Sequence, residues 1–254
     1  PDMTPAVARC VAKYFMDDDM PLRLCYLERT FKNNTSYQGY LKERAESGAE
    51  LIGDDSPDAD AEMIAMVIDC LKAAGLKEFQ VELGEVAFYR SLLQQSGLDE
   101  DAQAQLNDLI ENKNRFGVEE FLKNQDMEES LKEAFLKLPE LFGGINQIKK
   151  AKALTDNPQA LAAIERLERV HTLLEEYHMA DYVSYDLGML SRYQYYTGII
   201  FKAYTYGTGD YIVTGGRYNK LLVQFGKDTP AVGFAIVVDQ LMAALSRQQI
   251  HIPV

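Results

Sequence analysis

The sequence predicts an α+β fold in which an antiparallel sheet is flanked by helices and interrupted by a helical insertion. Runs rich in β-branched and aromatic residues lie near both ends of the chain, as half-buried strands require. The middle of the chain instead repeats apolar residues at helical spacing. The strand-like runs are joined by short connections that contain glycine, which favours antiparallel neighbours over crossover helices.

The first part of the predicted core covers residues 1–97, where strand-like and helix-like periods alternate. Apolar clusters at 22–27 and 79–83 predict strands. Between them, the amphipathic stretch 58–74 predicts a helix. This order of elements is typical of an α+β domain.

The predicted insertion covers residues 98–179, in which aromatic residues become rare and polar helix formers dominate. Its clearest helical spacing is the series Leu161, Ile164, Leu167, Val170 and Leu174. Gly143-Gly144 and Asn157-Pro158 interrupt the pattern, and the second pair predicts a helix start at Pro158.

The second part of the predicted core covers residues 180–254, where the strand pattern returns. Strands are expected at 199–206, 211–214 and 231–238, with a helix at 239–248. The glycine-containing stretch 207–210 is the best hairpin connection. At Gly215-Gly216 we expect a strand end with positive φ, turning into a helix near Tyr218.

Composition excludes several classes of function. The 39 acidic residues outnumber the 26 basic ones, and a net charge of −13 disfavours nucleic-acid binding. Three cysteines without a C-x-x-C pair indicate a reducing, cytoplasmic location. No apolar run reaches the roughly 18 to 20 residues of a membrane span, so we expect no membrane association.

No cofactor or metal is predicted. Neither glycine-rich patch has the spacing of a phosphate-binding loop. His171 and His178 would lie roughly on one helix face with Glu175 between them, but a third strong ligand is lacking. Glu46, Glu50 and the tyrosines at 193–196 are either a site for a small cationic ligand or the exposed face of a sheet, and composition leaves both open.

Several motifs favour the ligand site over the exposed sheet face. The strongest are Tyr-Tyr-Thr-Gly-Ile-Ile-Phe at 195–201, Gly-Gly-Arg-Tyr at 215–218 and Pro-Ala-Val-Gly-Phe-Ala at 230–235. Weaker matches lie at 1–4, 8–9, 28–32, 48–53 and 58–62. In order and spacing these motifs resemble the catalytic core of the histidyl-tRNA synthetase family. The resemblance covers residues 1–97 and 181–250 and implies a sheet of the class II aminoacyl-tRNA synthetase type.

The resemblance also implies a histidine-binding site. Asp2 and Thr4 occupy positions that meet the α-amino group of histidine in that family. Glu50 and Tyr196 occupy positions that read the imidazole ring, and Tyr195 is a neighbouring pocket position. Glu46 departs from the pattern, because the synthetases carry glutamine there, and it adds negative charge to the predicted pocket.

Three further departures argue against catalysis. Arginines that hold ATP and activate the carboxylate in the synthetases correspond to Lys32, Ser191 and Gln240 here. Adenylate chemistry needs such cations because negative charge develops on phosphate in the transition state. An anticodon-binding domain of roughly 100 residues is also not expected after residue 236. We therefore expect neither adenylation nor tRNA charging.

A synthetase core that keeps a histidine pocket without these arginines is similar to the regulatory subunits of ATP phosphoribosyltransferase. That similarity implies a non-catalytic subunit, which self-associates as a dimer and forms a hetero-oligomer with the short catalytic subunit. Free histidine would act as the feedback effector in the first step of histidine biosynthesis. A truncated active histidyl-tRNA synthetase and a stand-alone histidine-binding module that regulates another enzyme remain the two alternatives.

Overall fold

The computed structural model describes residues 2–15, 17–31, 42–190 and 195–251. The chain divides into two compact bodies. The sheet body comprises Pro1–Val81, Tyr195–Thr197 and Phe201–Val254, and the helical body comprises Glu82–Gln194 and Gly198–Ile200.

Strands and helices of the sheet body alternate as predicted. Its helices are α1 (Met3–Tyr14), α2 (Pro57–Ala73) and α9 (Val238–Arg247), with a 3₁₀ helix at Leu222–Phe225. Its strands are β1 (Leu22–Phe31), β2 (Glu43–Ile52), β7 (Val213–Arg217) and β8 (Ala231–Val237). Two further strands, β3 (Phe79–Glu85) and β6 (Ile199–Thr205), contribute residues to both bodies.

The strand order of the sheet body is β1-β2-β8-β7-β6. The pairs β1/β2, β2/β8 and β7/β8 are antiparallel. Glu50 lies opposite Gly233 of β8, and Glu46 lies opposite Val237. Because side chains alternate along a strand, Glu46 and Glu50 share one face of β2.

Local signals account for the start of α2. The Ser56 hydroxyl accepts a hydrogen bond from the backbone N–H of Ala59, and Pro57 fills the first helical position. Asp58 and Asp60 lie in the first turn, where the helix dipole favours negative charge. The buried face of the helix carries Asp60 and Ile64 together with other apolar residues in the core of the sheet body.

The helical body contains all of residues 98–179, the range of the predicted insertion. Its helices are α3 (Val86–Ser96), α4 (Glu100–Glu111), α5 (Arg115–Lys123), α6 (Glu129–Lys137), α7 (Asn146–Lys152) and α8 (Pro158–Glu176), and its short strands are β4 (Phe142–Gly143) and β5 (Val183–Asp186). The prediction of a helix start at Pro158 is confirmed, because the Asn157 side chain caps the N–H groups of Gln159 and Ala160.

The predictions for Gly215, Gly216 and Tyr218 are wrong. Both glycines lie inside β7, and neither is among the described glycines with positive φ. No α-helix begins at Tyr218, and the next helical element is the 3₁₀ helix at Leu222–Phe225. Gly215 is instead required for space, since a Cβ there would lie 2.4 Å from the Phe201 ring.

The prediction that His171 and His178 share a helix face is also wrong. Helix α8 ends at Glu176, and His178 follows it with a φ of +57°. His171 Nδ1 lies 2.7 Å from the Tyr185 hydroxyl, and its Nε2 lies 3.6 Å from Glu175. Across the described residues, no group of three or more His, Cys, Asp or Glu side chains is placed to hold a metal ion.

Two further features considered from the sequence are membrane-spanning segments and the state of the cysteines. Within the described part of the chain, no helix is long and apolar enough to cross a membrane. The three cysteines, Cys10, Cys25 and Cys70, are all free thiols.

Candidate functional site

The six residues predicted to bind a ligand, namely Asp2, Thr4, Glu46, Glu50, Tyr195 and Tyr196, all belong to the sheet body. They come from three elements: the start of α1, the strand β2 and the turn before β6. We call this set the carboxylate site. Hydrogen bonds or ring contacts link five of its members, and Glu46 shares the β2 face with Glu50.

Glu50 lies at the centre of the carboxylate site and is only 1% exposed. Its Oε1 accepts a hydrogen bond of 2.9 Å from the Thr4 hydroxyl. Its Oε2 accepts a hydrogen bond of 2.5 Å from the Tyr218 phenol. Each oxygen of an ionised carboxylate has a second lone pair, so Glu50 retains the capacity to accept from a ligand N–H.

Burial controls the protonation of Glu50. Removal from water raises the pKa of its carboxyl to about 8, although the hydrogen bonds from Tyr218 and Thr4 act in the opposite direction. The nearby Asp2 carboxylate makes a smaller contribution to this increase in pKa, because two like charges disfavour each other. A cationic ligand would reverse this effect and favour the ionised form of Glu50.

Asp2 connects the start of α1 to the turn before β6. As the N-cap of α1, its Oδ1 accepts a hydrogen bond from the backbone N–H of Thr4. Its Oδ2 accepts a hydrogen bond from the Tyr195 phenol. The turn itself is held by Thr197, whose N–H donates to the Arg217 carbonyl over 2.8 Å. These bonds give Tyr195 a defined position above the helix start.

Aromatic rings cover one side of the site. The rings of Tyr195 and Tyr196 lie 4.7 Å apart between centroids. Tyr195 also makes an edge-to-face contact of 6.1 Å with Tyr218. Such contacts fix ring orientation and exclude water from the carboxylate they surround.

Two tyrosines next to the carboxylate site, Tyr218 and Tyr26, were not predicted from the sequence as site residues. Tyr218 belongs to the Gly-Gly-Arg-Tyr motif at 215–218, and that motif was the available signal. The ring of Tyr26 lies across Gly48, where a Cβ would be 2.4 Å from the phenol oxygen. Among the described residues that phenol oxygen is buried without a hydrogen-bond partner. Burial and the charges of Glu50, Asp2 and Glu46 raise the Tyr26 pKa, so it remains a neutral donor.

Glu46 is 5% exposed and lies two residues before Gly48 in β2. Its carboxylate therefore faces the same side of the sheet as Glu50. The site therefore brings Asp2, Glu46 and Glu50 to one region, and hydroxyl groups surround them. This concentration of acceptors suits a ligand that presents N–H groups and positive charge.

Arg217 is the buried guanidinium of the motif at 215–218 and is 1% exposed. Its Nε donates to Asp60 over 2.7 Å, and its Nη1 donates to the carbonyl of Asp54 and to the side chains of Asp55 and Asn219. These partners all belong to the segment around the start of α2 or to the turn after β7. The guanidinium therefore connects two segments of the sheet body.

Of the three positions predicted to have lost their cations, Lys32 and Ser191 lie outside the described residues. Gln240 is half-buried in the first turns of α9. Its neighbour Asp239 accepts a hydrogen bond of 2.9 Å from the backbone N–H of Ala45 in β2. The start of α9 thus places a neutral amide and a carboxylate beside β2.

An antiparallel sheet with flanking helices and a buried carboxylate site is the arrangement expected of the class II aminoacyl-tRNA synthetase type. The family model described as histidyl-tRNA synthetase matches residues 1–241. The chain therefore belongs to the histidyl-tRNA synthetase family, and the predicted fold class is confirmed.

Relatives with curated names lie within this family. The chain is 39% identical over 251 residues to a protein of Acetivibrio thermocellus and 41% identical over 247 residues to one of Clostridium acetobutylicum, both named ATP phosphoribosyltransferase regulatory subunit. The matches cover 99% and 96% of this chain but only 60% and 61% of those relatives. The chain thus spans about three fifths of their length.

A solved structure from Bacillus halodurans is similar to this chain as well. It is described as an ATP phosphoribosyltransferase regulatory subunit/histidyl-tRNA synthetase, with a TM-score of 0.89 and 35% identity. The match covers 96% of this chain and 64% of that chain. The backbone of the sheet body and of the helical body is accordingly a known arrangement of this family.

Proposed function

We propose that this chain forms the core of a regulatory subunit of ATP phosphoribosyltransferase, which binds histidine and does not form an adenylate. The observation that carries the proposal is the similarity of 39–41% identity, over nearly the whole chain, to relatives of that name. The protein would activate the short catalytic subunit and mediate histidine feedback in the first step of histidine biosynthesis.

In this proposal the carboxylate site is the histidine pocket. Asp2 and Thr4 meet the α-amino group, since a carboxylate pairs with an ammonium group. Glu50 and Tyr196 read the ring, and Tyr195 and Glu46 complete the pocket. The support is the cluster of acceptors around Glu50, because histidine presents both an ammonium group and a ring N–H.

The lack of adenylation follows from charge. Lysine at position 32 has no planar fork for phosphate, and serine and glutamine at 191 and 240 carry no charge. Arg217 is engaged with Asp60 and with the backbone near the start of α2. The carboxylates of this site oppose a developing negative charge on phosphate, although the buried Arg44 is a cation that shares the β2 face with Glu46 and Glu50.

The remaining parts of the proposal concern assembly and location. The subunit self-associates as a dimer and joins the short catalytic subunit in a hetero-oligomer in the cytoplasm, which the three free thiols support. Residues 98–179 are an insertion between core segments 1–97 and 180–254. Histidine shifts the assembly only as far as its affinities for the two states differ.

Calorimetry with free histidine on the full-length protein, with and without the short catalytic subunit, tests this proposal. We expect saturable histidine binding in both cases, with an affinity that changes when the partner is present. The Glu50→Ala variant is expected to abolish binding. Histidine inhibition that Glu50→Ala leaves unchanged would move the effector site out of the carboxylate site.

Two further assays separate the alternatives. Histidine-dependent pyrophosphate exchange by the full-length protein would establish an active synthetase and overturn the regulatory proposal. Mass photometry with the short catalytic subunit at micromolar concentration is expected to show a complex. Histidine binding without any such complex would favour a stand-alone module that regulates another enzyme.

A further inference from the structure

The space beside Glu50 depends on a glycine in the neighbouring strand. Gly233 of β8 lies directly opposite Glu50 of β2. A Cβ built on Gly233 would lie 1.6 Å from Glu50 Oε2 and 2.5 Å from Glu50 Cδ. Real Cβ atoms essentially never come within 3.0 Å of a heavy atom of another residue. Any side chain at position 233 would therefore displace the carboxylate.

The backbone conformation does not by itself require a glycine at this position, although a Cβ on Gly233 would also lie 2.8 Å from the Ala49 carbonyl oxygen. Gly233 is not among the described glycines with positive φ, so its conformation is open to other residues. Side chains usually stand roughly perpendicular to a sheet. The Glu50 carboxylate instead leans over β8 and occupies the volume that a side chain of residue 233 would fill.

The position of the carboxylate is then limited from three directions. The Thr4 hydroxyl approaches one oxygen from α1, and the Tyr218 phenol approaches the other from the end of β7. The third limit is the backbone of Gly233. A carboxylate held in this way presents its free lone pairs in one direction, which is the requirement for selecting a ring N–H.

We propose that Gly233 is a positioning residue of the histidine pocket, where the missing side chain lets Glu50 lie against β8 and accept the ring N–H. This inference rests on the proposed function, because the ligand is taken to be histidine. Gly233 does not contact the ligand in this arrangement and acts through Glu50.

The chain offers a matched control. Gly215 of β7 is equally confined, since a Cβ there would lie 2.4 Å from the Phe201 ring and 2.6 Å from the Gly233 carbonyl oxygen. That crowding involves no atom of Glu50. Gly215→Ala should therefore strain the same sheet and press on the Gly233 backbone without entering the volume of the carboxylate, whereas Gly233→Ala places its Cβ inside that volume.

Calorimetry with histidine on the full-length protein compares the two variants. We expect Gly233→Ala to weaken histidine binding by about 10- to 100-fold, the effect of losing a hydrogen bond to a charged group. Gly215→Ala is expected to weaken binding several-fold less than Gly233→Ala, because its Cβ meets the Phe201 ring and the Gly233 carbonyl oxygen but no atom of Glu50. Equal affinity of wild type and Gly233→Ala would overturn the inference.

A rescue experiment separates positioning from general strain. Glu50→Asp shortens the side chain by one methylene, so it should bind histidine more strongly in the Gly233→Ala background than Gly233→Ala alone. A merely structural role of Gly233 predicts no such recovery. The inference would be contradicted if the double variant lost as much binding free energy as the two single variants lose together.

A readout without histidine distinguishes failure of this inference from failure of the proposed function. The titration of the Glu50 carboxyl, followed by carbon NMR, should shift in Gly233→Ala and shift less in Gly215→Ala. If Gly233→Ala fails to fold, Glu50→Ala in the same chain should restore part of the lost stability, because only the 2.8 Å approach to the Ala49 carbonyl oxygen then remains. A wild type that does not bind histidine would end the proposed function, whereas an unshifted Glu50 titration or a failed restoration would end this inference.

Discussion

The Tyr195 phenol donates a hydrogen bond of 2.5 Å to Oδ2 of Asp2, from 193 positions further along the chain. The other oxygen of the same carboxylate caps α1 through the N–H of Thr4. The Asp2 side chain thus caps α1 and also belongs to the carboxylate site. The two roles can be separated, because helix capping needs an acceptor oxygen but not a charge.

Asp2→Asn should separate them. Asparagine caps helices as well as aspartate does, so we expect the free energy of unfolding to change by less than about 1 kcal/mol. Histidine affinity should fall about tenfold or more, since the ammonium group loses its charged partner. Calorimetry and urea denaturation measure the two quantities. Wild-type affinity in Asp2→Asn would remove Asp2 from the ligand site, and Asp2→Ala is the control that loses both roles.

Stability should depend on pH through Glu50. Its pKa is about 8 in the folded protein and 4.5 in the reference state, so the folded state holds a proton that the unfolded state releases. The contribution of Glu50 to stability is therefore fully present below pH 4.5 and is lost as pH rises towards 8. Urea denaturation across this range should show a decline in wild type that is smaller in Glu50→Gln. Parallel curves for the two proteins would contradict this assignment.

Tyr26 and Tyr218 form a matched pair of phenols in the same site. Tyr218→Phe should destabilise the protein by about 1–3 kcal/mol, because Glu50 loses a donor. Tyr26→Phe should leave stability within about 1 kcal/mol of wild type, since its phenol oxygen has no partner among the described residues. If the Tyr26 phenol meets the ligand, Tyr26→Phe should nevertheless weaken histidine binding. Unchanged binding would limit Tyr26 to packing over Gly48.

Arg217 should be structural. Arg217→Met is expected to lower the free energy of unfolding by about 3–5 kcal/mol, because the buried Asp60 carboxylate would lose the Arg217 guanidinium. Arg217→Lys should also destabilise, since one ammonium group cannot reproduce the fork that reaches Asp60, Asp55 and the Asp54 carbonyl. Chemical denaturation measures both effects. Wild-type stability of Arg217→Lys would show that only charge is needed.

Helix starts were predictable where their signals are local. Asn157 and Pro158 act on groups within three residues, so the start of α8 follows from the sequence. The role of Gly215 did not follow, because a glycine can serve positive φ or close approach. The Phe201 ring decides between these, and it lies in a neighbouring strand.

The sequence by itself determined the alternation of strands and helices, the motifs of the family and the residue types available to the carboxylate site. These depend on periodicity and on chemistry that each residue carries alone. Only the tertiary structure decided which hydroxyls meet Glu50, how deeply it is buried, and that Gly233 makes room for it. The partners Thr4 and Tyr218 lie 46 and 168 positions away, and both burial and hydrogen bonding arise only when such segments pack together.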